Sequence, residues 1–231
     1  MNLQSLREEF VLNFIEDNRW QYLTRGLATT LKITLFAAII GIVLGFLVAI
    51  VRTTHENTGK AKIANAICGL YLTIIRGTPV LVQLLILYFV IFASVRIDKT
   101  LTAIIAFGIN SGAYQAEIFR SGIQSVPRGQ LEAGRSLGFS YKQTIWTVIM
   151  PQAIRNVIPA LCIEFIALMK ETSIAGYIAL EDLTKGGDII RSRTYSAFMP
   201  YIAVALIYLV LVLILTRVEK SIERRLKKSE R

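Results

Sequence analysis

The sequence predicts an all-α integral membrane protein with five membrane segments. Three observations carry that prediction. Two apolar runs, 33–51 (ITLFAAIIGIVLGFLVAIV) and 199–216 (MPYIAVALIYLVLVLILT), hold no charged residue, and a span needs about 20 predominantly apolar residues to cross roughly 30 Å of hydrocarbon. The chain of 231 residues is 54% hydrophobic and 18% charged, against a soluble norm of roughly 45–50% apolar and about 25% charged. The cations also fall mostly on one side of the predicted spans, as the positive-inside rule requires.

Taken in order, residues 1–28 form the first unit. Leu3, Leu6, Phe10 and Phe14 recur at helical spacing opposite Glu8, Glu9, Glu16 and Asp17, which predicts an amphipathic helix on the outer surface. The same acids stand where a cleavable signal peptide would be basic, so none is expected. The membrane domain then covers 29–217, with spans at about 29–51, 64–94, 101–122, 151–170 and 198–217. The second is too long for one straight crossing, because 31 continuous residues would reach about 46 Å. A break is expected at Arg76, Gly77, Thr78 and Pro79, since Pro79 removes a backbone donor and restrains Thr78.

Between spans three and four lies a charged insert at about 123–150 that includes LEAGRSLGFSYKQTIWTVIMP (131–151). Its signals are those of two short helices. Pro127 opens the first and Gly138 ends it in a left-handed conformation. Ser140 and Gln143 form a capping box for the second, and Pro151 marks the entry to span four. Residues 171–197 are too polar to cross the bilayer. Residues 218–231 form a basic tail that faces anionic headgroups.

Orientation follows from Lys and Arg. Loop 52–62, the insert with its flanks and the tail counted from Arg217 together hold fifteen cations against six acids, whereas the opposite side holds ten against nine. The N-terminus is therefore placed outside and the C-terminus in the cytoplasm. The net charge of +10 is read as a topology signal, with no nucleic-acid partner. Cys68 and Cys162 lie in apolar runs and read as small hydrophobes without a disulfide. His55 is the only histidine, which leaves no histidine-based metal site. Residues 57–61 (NTGKA) brush against a phosphate loop, but Thr54 and Ala61 replace its first Gly and its Ser/Thr, so the chain should not bind ATP itself. No hydrolase, protease or dinucleotide motif is present, and no catalytic residue is expected. An ion-coupled carrier would often show repeated halves with matching broken spans, and only one interrupted segment is visible.

Charged groups inside a span cost roughly 2.5–3.5 kcal/mol each on insertion scales. Arg76 stands at the break, and Glu164 lies about 20 Å along the fourth span from Pro151. Asn110, Tyr114 and Glu117 share one face of span three, which must meet other protein or a watery cavity. Arg76, Thr78, Asn110, Tyr114 and Glu164 are thus expected to border the path of a zwitterionic solute. Arg76 and free amides at the break would attract a carboxylate, and Glu164 an ammonium or guanidinium. The alternative is that Arg76 and Glu164 neutralise each other, or pair with Arg155 or Lys170. Gly41 with Gly45, and Gly108 with Gly112, suit close helix contact.

The insert resembles the EAA loop of ATP-binding-cassette importer permeases: Glu-Ala-Ala, three residues, Gly, nine residues, Ile, any residue, Leu-Pro. Glu132, Ala133, Gly134, Gly138, Val148, Met150 and Pro151 fall at those spacings. Gly134 departs from Ala, at a helix cost of about 1 kcal/mol; Val148 and Met150 replace Ile and Leu. The runs 71–89, 112–140 and 164–174 are similar to permeases of the polar-amino-acid branch (histidine, glutamate, glutamine, arginine, opines). The resemblance implies a five-helix type I importer transmembrane domain in a bacterial cell membrane, with the insert as a coupling helix. It implies that Glu132, Ala133, Gly134 and Gly138 meet a separate ATPase dimer, which holds the ATP and Mg. It further implies a second permease, identical or related, and an extracytoplasmic solute-binding protein.

Overall fold

A computed structural model describes residues 3–228, and the described residues contain helices and no strands. Helix α1 spans Leu3–Phe10 and runs through a wide turn, Val11–Ile15, into a reversal at Asp17 and Asn18, both at positive φ. Phe14 is buried while Phe10 remains exposed. Helix α2, Trp20–Thr58, is the longest. It starts well before residue 29 because residues 20–28 hold no proline, and their one glycine, Gly26, faces another helix rather than a turn. Gly59, at φ 67, caps its far end.

Helix α3, Lys62–Gly77, and helix α4, Val80–Ile86 with its continuation to Ile91, meet at a bend of 108°. Helix α5 is Lys99–Gln124, α6 Arg128–Ser136, α7 Tyr141–Thr144 and α8 Met150–Glu171. A 3-10 segment, Thr172–Ile178, leads to α9, Leu183–Thr194, and then to α10, Phe198–Lys228. By length and composition α2 and α10 can each cross a membrane, and the bent α3–α4 pair can form a third crossing. Helices α5 and α8, with 26 and 22 residues, have the length of a span at 1.5 Å per residue, but they carry the polar face. The last three residues, Glu230 and Arg231 of the tail among them, lie outside the described residues.

Helix α7 does not stop before span four. It passes through a π-helical turn, Ile145–Ile149, straight into α8. Pro151 withdraws one rung of the hydrogen-bond ladder, and the turn before it widens so that the Met150 amide reaches Ile145.

The core lies where α2, α4, α5, α8 and the 3-10 segment meet, around Ile33, Ala37, Leu84, Phe107, Leu168 and Ile178. Helices α2 and α5 approach through their glycines. A Cβ at Gly41 would stand 2.7 Å from Gln115 Nε2, and one at Gly45 2.8 Å from the Ala116 amide nitrogen. From the other side, Cβ atoms at Gly108 and Gly112 would meet Ile40 and Leu44 of α2 at 2.8 and 3.0 Å. The paired small-residue motifs of the sequence therefore face each other's helix, as close packing in a membrane requires.

On the end away from α6, Asp182 caps α9 by accepting from the Thr184 and Lys185 amides. Burial pushes its carboxyl up to about 6. The folded chain thus holds that proton more tightly than an unfolded one, whose group titrates near 3.8. Stability is expected to be greatest below that value and to decline as pH rises through about 6. Thermal unfolding across this window should show the decline, and Asp182→Asn, which keeps a capping oxygen, should flatten it.

Candidate functional site

The break between α3 and α4 organises the polar residues. Thr78 and Pro79 are extended, at ψ 147 and 136, because a proline excludes the helical conformation from the residue before it. The carbonyls this exposes need donors at membrane depth. Gln83, one turn into α4, supplies them: its Nε2 donates to Ile75 O at 2.7 Å, Thr78 O at 3.0 Å and Thr78 Oγ1 at 2.8 Å. Its Oε1 accepts from Asn110 Nδ2 at 2.9 Å. Gln83 is thus a clasp that ties the bend to α5. The sequence shows only a glutamine in an apolar run, and that isolation is the one signal that could have singled it out.

Asn110, Tyr114 and Glu117 all address the broken segment. Asn110 holds Gln83, the Arg76 guanidinium stands 5.8 Å from the centre of the Tyr114 ring, and Arg76 Nη1 is 3.7 Å from Glu117 Oε1. The other oxygen of Glu117 accepts from Arg120 Nε and Nη2 at 3.0 and 2.7 Å. Arg120 in turn lies 3.9 Å from Glu56. A ladder of alternating charge therefore runs from the break toward the end of α2.

Glu164 takes a separate course. It accepts from Ser111 Oγ at 2.9 Å, and Ser111 accepts from Gln115 Nε2 at 2.9 Å. Among the described residues Glu164 forms no ion pair, so the expected alternative of mutual neutralisation with Arg76 is not what the structure contains. Arg76 is matched by Glu117, and Glu164 is held by one neutral donor, Ser111. Arg76 and Thr78 are exposed, Tyr114 is partly so, and Glu164 is half-buried.

At the opposite functional end stands α6. Its N-terminus follows Pro127, and its C-terminus closes with two bonds, Gly138 N to Arg135 O at 3.1 Å and Phe139 N to Gly134 O at 3.2 Å. Gly138 has φ 85. This is a Schellman closure, which depends on a left-handed residue after the cap. The capping box of Ser140 and Gln143 follows at once, with bonds of 2.8 and 3.3 Å. Two short helices are thereby fixed at a defined angle with little tertiary support.

Helix α6 rests on Leu131, which joins Val126, Ile149 and Ala153, and on Gly134, its one buried residue. Glu132, Ala133 and Arg135 point to solvent. So does Leu137, 78% exposed, with Phe139 and Trp146 nearby in the chain and also open. These apolar groups were not among the sequence-predicted contacts.

Gly134 has a packing reason. A Cβ there would stand 2.5 Å from Thr144 Cγ2 and 3.1 Å from Thr144 Oγ1, and Thr144 is wholly buried. Gly134→Ala is therefore expected to lower stability despite a helix-propensity gain of about 1 kcal/mol, since overpacking costs roughly 1–3 kcal/mol. Adding Thr144→Ser, which removes the methyl and keeps the hydroxyl, should recover most of the loss. Proteolysis of the α6–α7 segment in the two variants would check this.

The binding-protein-dependent transport system inner membrane component family matches residues 41–228. The chain is 37% identical to the L-cystine transport system permease protein TcyB of Bacillus subtilis, over 93% of this chain and 90% of that one. It is 38% identical to the arginine transport system permease protein ArtQ of Bacillus subtilis, over 90% and 94%. A crystal structure of an amino acid ABC transporter with histidines aligns with a TM-score of 0.83 at 38% identity, covering 97% of this chain and 99% of that one.

Proposed function

The chain belongs to the family of binding-protein-dependent transport system inner membrane components, as a permease subunit of the amino-acid ABC importers, and on that premise we propose that it carries polar amino acids inward under the drive of a separate ATPase seated on α6. A companion binding protein delivers the solute at the end of the fold that holds α9. A second permease completes the pathway, and the C-terminus lies on the ATPase side. ATP and its Mg stay on the partner. The carrying observation is the build of α6: a short helix that starts after Pro127 and is closed at its C-terminus, resting on Leu131 and Gly134, that presents Glu132, Ala133, Arg135 and Leu137 outward. An exposed leucine beside charges, on a pre-formed helix, suits a protein groove.

In this reading closure of the ATPase pair moves α6, α5 carries the movement inward, and the break at 76–79 opens or closes the path. Arg76 and the amides near Thr78 receive the solute carboxylate, and Glu164 receives its ammonium. The test is a bifunctional cross-linker at Glu132→Cys in the assembled transporter, which should capture the ATPase subunit. Glu132→Arg should lower uptake about tenfold or more, because a misplaced interface charge costs several kcal/mol, while leaving thermal stability unchanged. Capture of no ATPase, with transport intact in the charge-reversed variant, would refute the coupling role.

A further inference from the structure

Arg52 has no place in the site described above, and its surroundings are unusual for a guanidinium at this depth. Its Nε is buried and has no hydrogen-bond partner, and Arg52 forms no ion pair among the described residues. The side chain lies over Gly69, where a Cβ would be 3.4 Å from its Nη1. It faces a cleft of about 480 Å³ between α2, α3 and α5, which Thr73, Arg76 and Glu117 also line.

The charges around that cleft do not balance. Its lining holds two guanidiniums, Arg52 and Arg76, and one carboxylate, Glu117. Glu117 is already engaged by both nitrogens of the Arg120 fork, which leaves Arg76 a contact of 3.7 Å and Arg52 none. Unmatched charge at a low-dielectric boundary is costly, and one further anion would match it. An arginine fork is suited to a carboxylate, which it can grip with two parallel bonds.

We propose that the cleft bounded by Arg52, Thr73 and Arg76 is a binding subsite for a single carboxylate, on the α6 side of the break and separate from Glu164. It receives the carboxylate of an amino acid that has passed the bend and has not yet left the protein. The amino-acid source rests on the transport reading above, but the charge of the subsite does not.

The experiment uses the assembled transporter in discs of neutral phosphatidylcholine, with Cys68→Ala, Cys162→Ala and Thr73→Cys. An anionic sulfonate-bearing methanethiosulfonate should modify the introduced thiol about tenfold faster than its cationic trimethylammonium counterpart. Glycine should slow that reaction, and glycinamide, which lacks the carboxylate, should not. Arg52→Gln should abolish both effects, and Arg52→Lys, which keeps the charge, should retain the reagent preference. Equal rates for the two reagents would overturn the proposal. So would equal slowing by glycinamide, or effects that survive Arg52→Gln. Slowing by phosphatidylglycerol in the disc with none by a free carboxylate would overturn the assignment of the ligand. The two readings fail separately: loss of ATPase capture at Glu132→Cys would leave the reagent preference untouched.

Discussion

Glu164→Gln is expected to raise the KM for transported amino acids by about tenfold to a hundredfold, the worth of a hydrogen bond to a charged group. Glutamine keeps an oxygen for Ser111 Oγ, which now donates at 2.9 Å, so the local geometry should survive and only the charge should go. A membrane-embedded carboxylate normally has a cation beside it, whereas Glu164 is held by Ser111, itself steadied by Gln115. A carboxylate held this way would pair with a cation on the solute. Uptake into proteoliposomes, measured for one cationic and one neutral amino acid, checks this. An unchanged KM for both would remove Glu164 from the path. A parallel Ser111→Ala variant should shift KM less, since it leaves the carboxylate in place.

The second large effect concerns stability. Helices α2 and α9 touch backbone to backbone: a Cβ at Gly186 would lie 2.5 Å from Tyr22 O, and one at Gly26 2.5 Å from Asp182 O. Leu183 N also donates to Thr30 Oγ1 at 3.1 Å. A clash with a flexible side chain can be relieved by a rotamer change, but a clash with a carbonyl moves a helix. Gly186→Ala and Gly26→Ala are each expected to cost at least the roughly 1–3 kcal/mol of an overpacked core and to lower the unfolding temperature. Gly129→Ala, where nothing lies within 4 Å of the new atom, should be neutral or mildly stabilising. If all three variants melt alike, the close approach of α2 and α9 does not hold.

Much of the architecture was legible because the signals are local. Charge-free runs mark α2 and α10, Pro79 marks the bend, and Ser140 with Gln143 marks the start of α7. Gly138 marks the end of α6 because a left-handed turn follows the cap. The family resemblance then identified the insert, since the spacing from Glu132 to Pro151 is a one-dimensional fact.

The partners across the bundle were not legible. Arg76 meets Glu117 rather than Glu164 because the bend aims it at α5, and no spacing rule contains an angle of 108°. Gln83 acquires its role only once the chain turns back on Ile75 and Thr78. Gly134 looked like a weakness in a short helix, and it is the contact that seats that helix on Thr144. The start of α2 was missed because residues 20–28 are too polar for an apolar window, and packing against α9 keeps them helical.

The glycine seam between α2 and α5 bears on how force could travel through the molecule. Two rods interlocked at four glycines cannot slide along each other without steric collision, so the pair turns as one stiff lever. Asn110, which grips the kink through Gln83, stands about 21 Å along that lever from Gln124, the last residue of α5, at 1.5 Å per residue. A tilt of about 5° at one end would sweep the other by roughly 2 Å, which exceeds the slack in a hydrogen bond. Torque applied at α6 would therefore arrive at the break between α3 and α4 as a broken or remade amide contact rather than as a diffuse deformation.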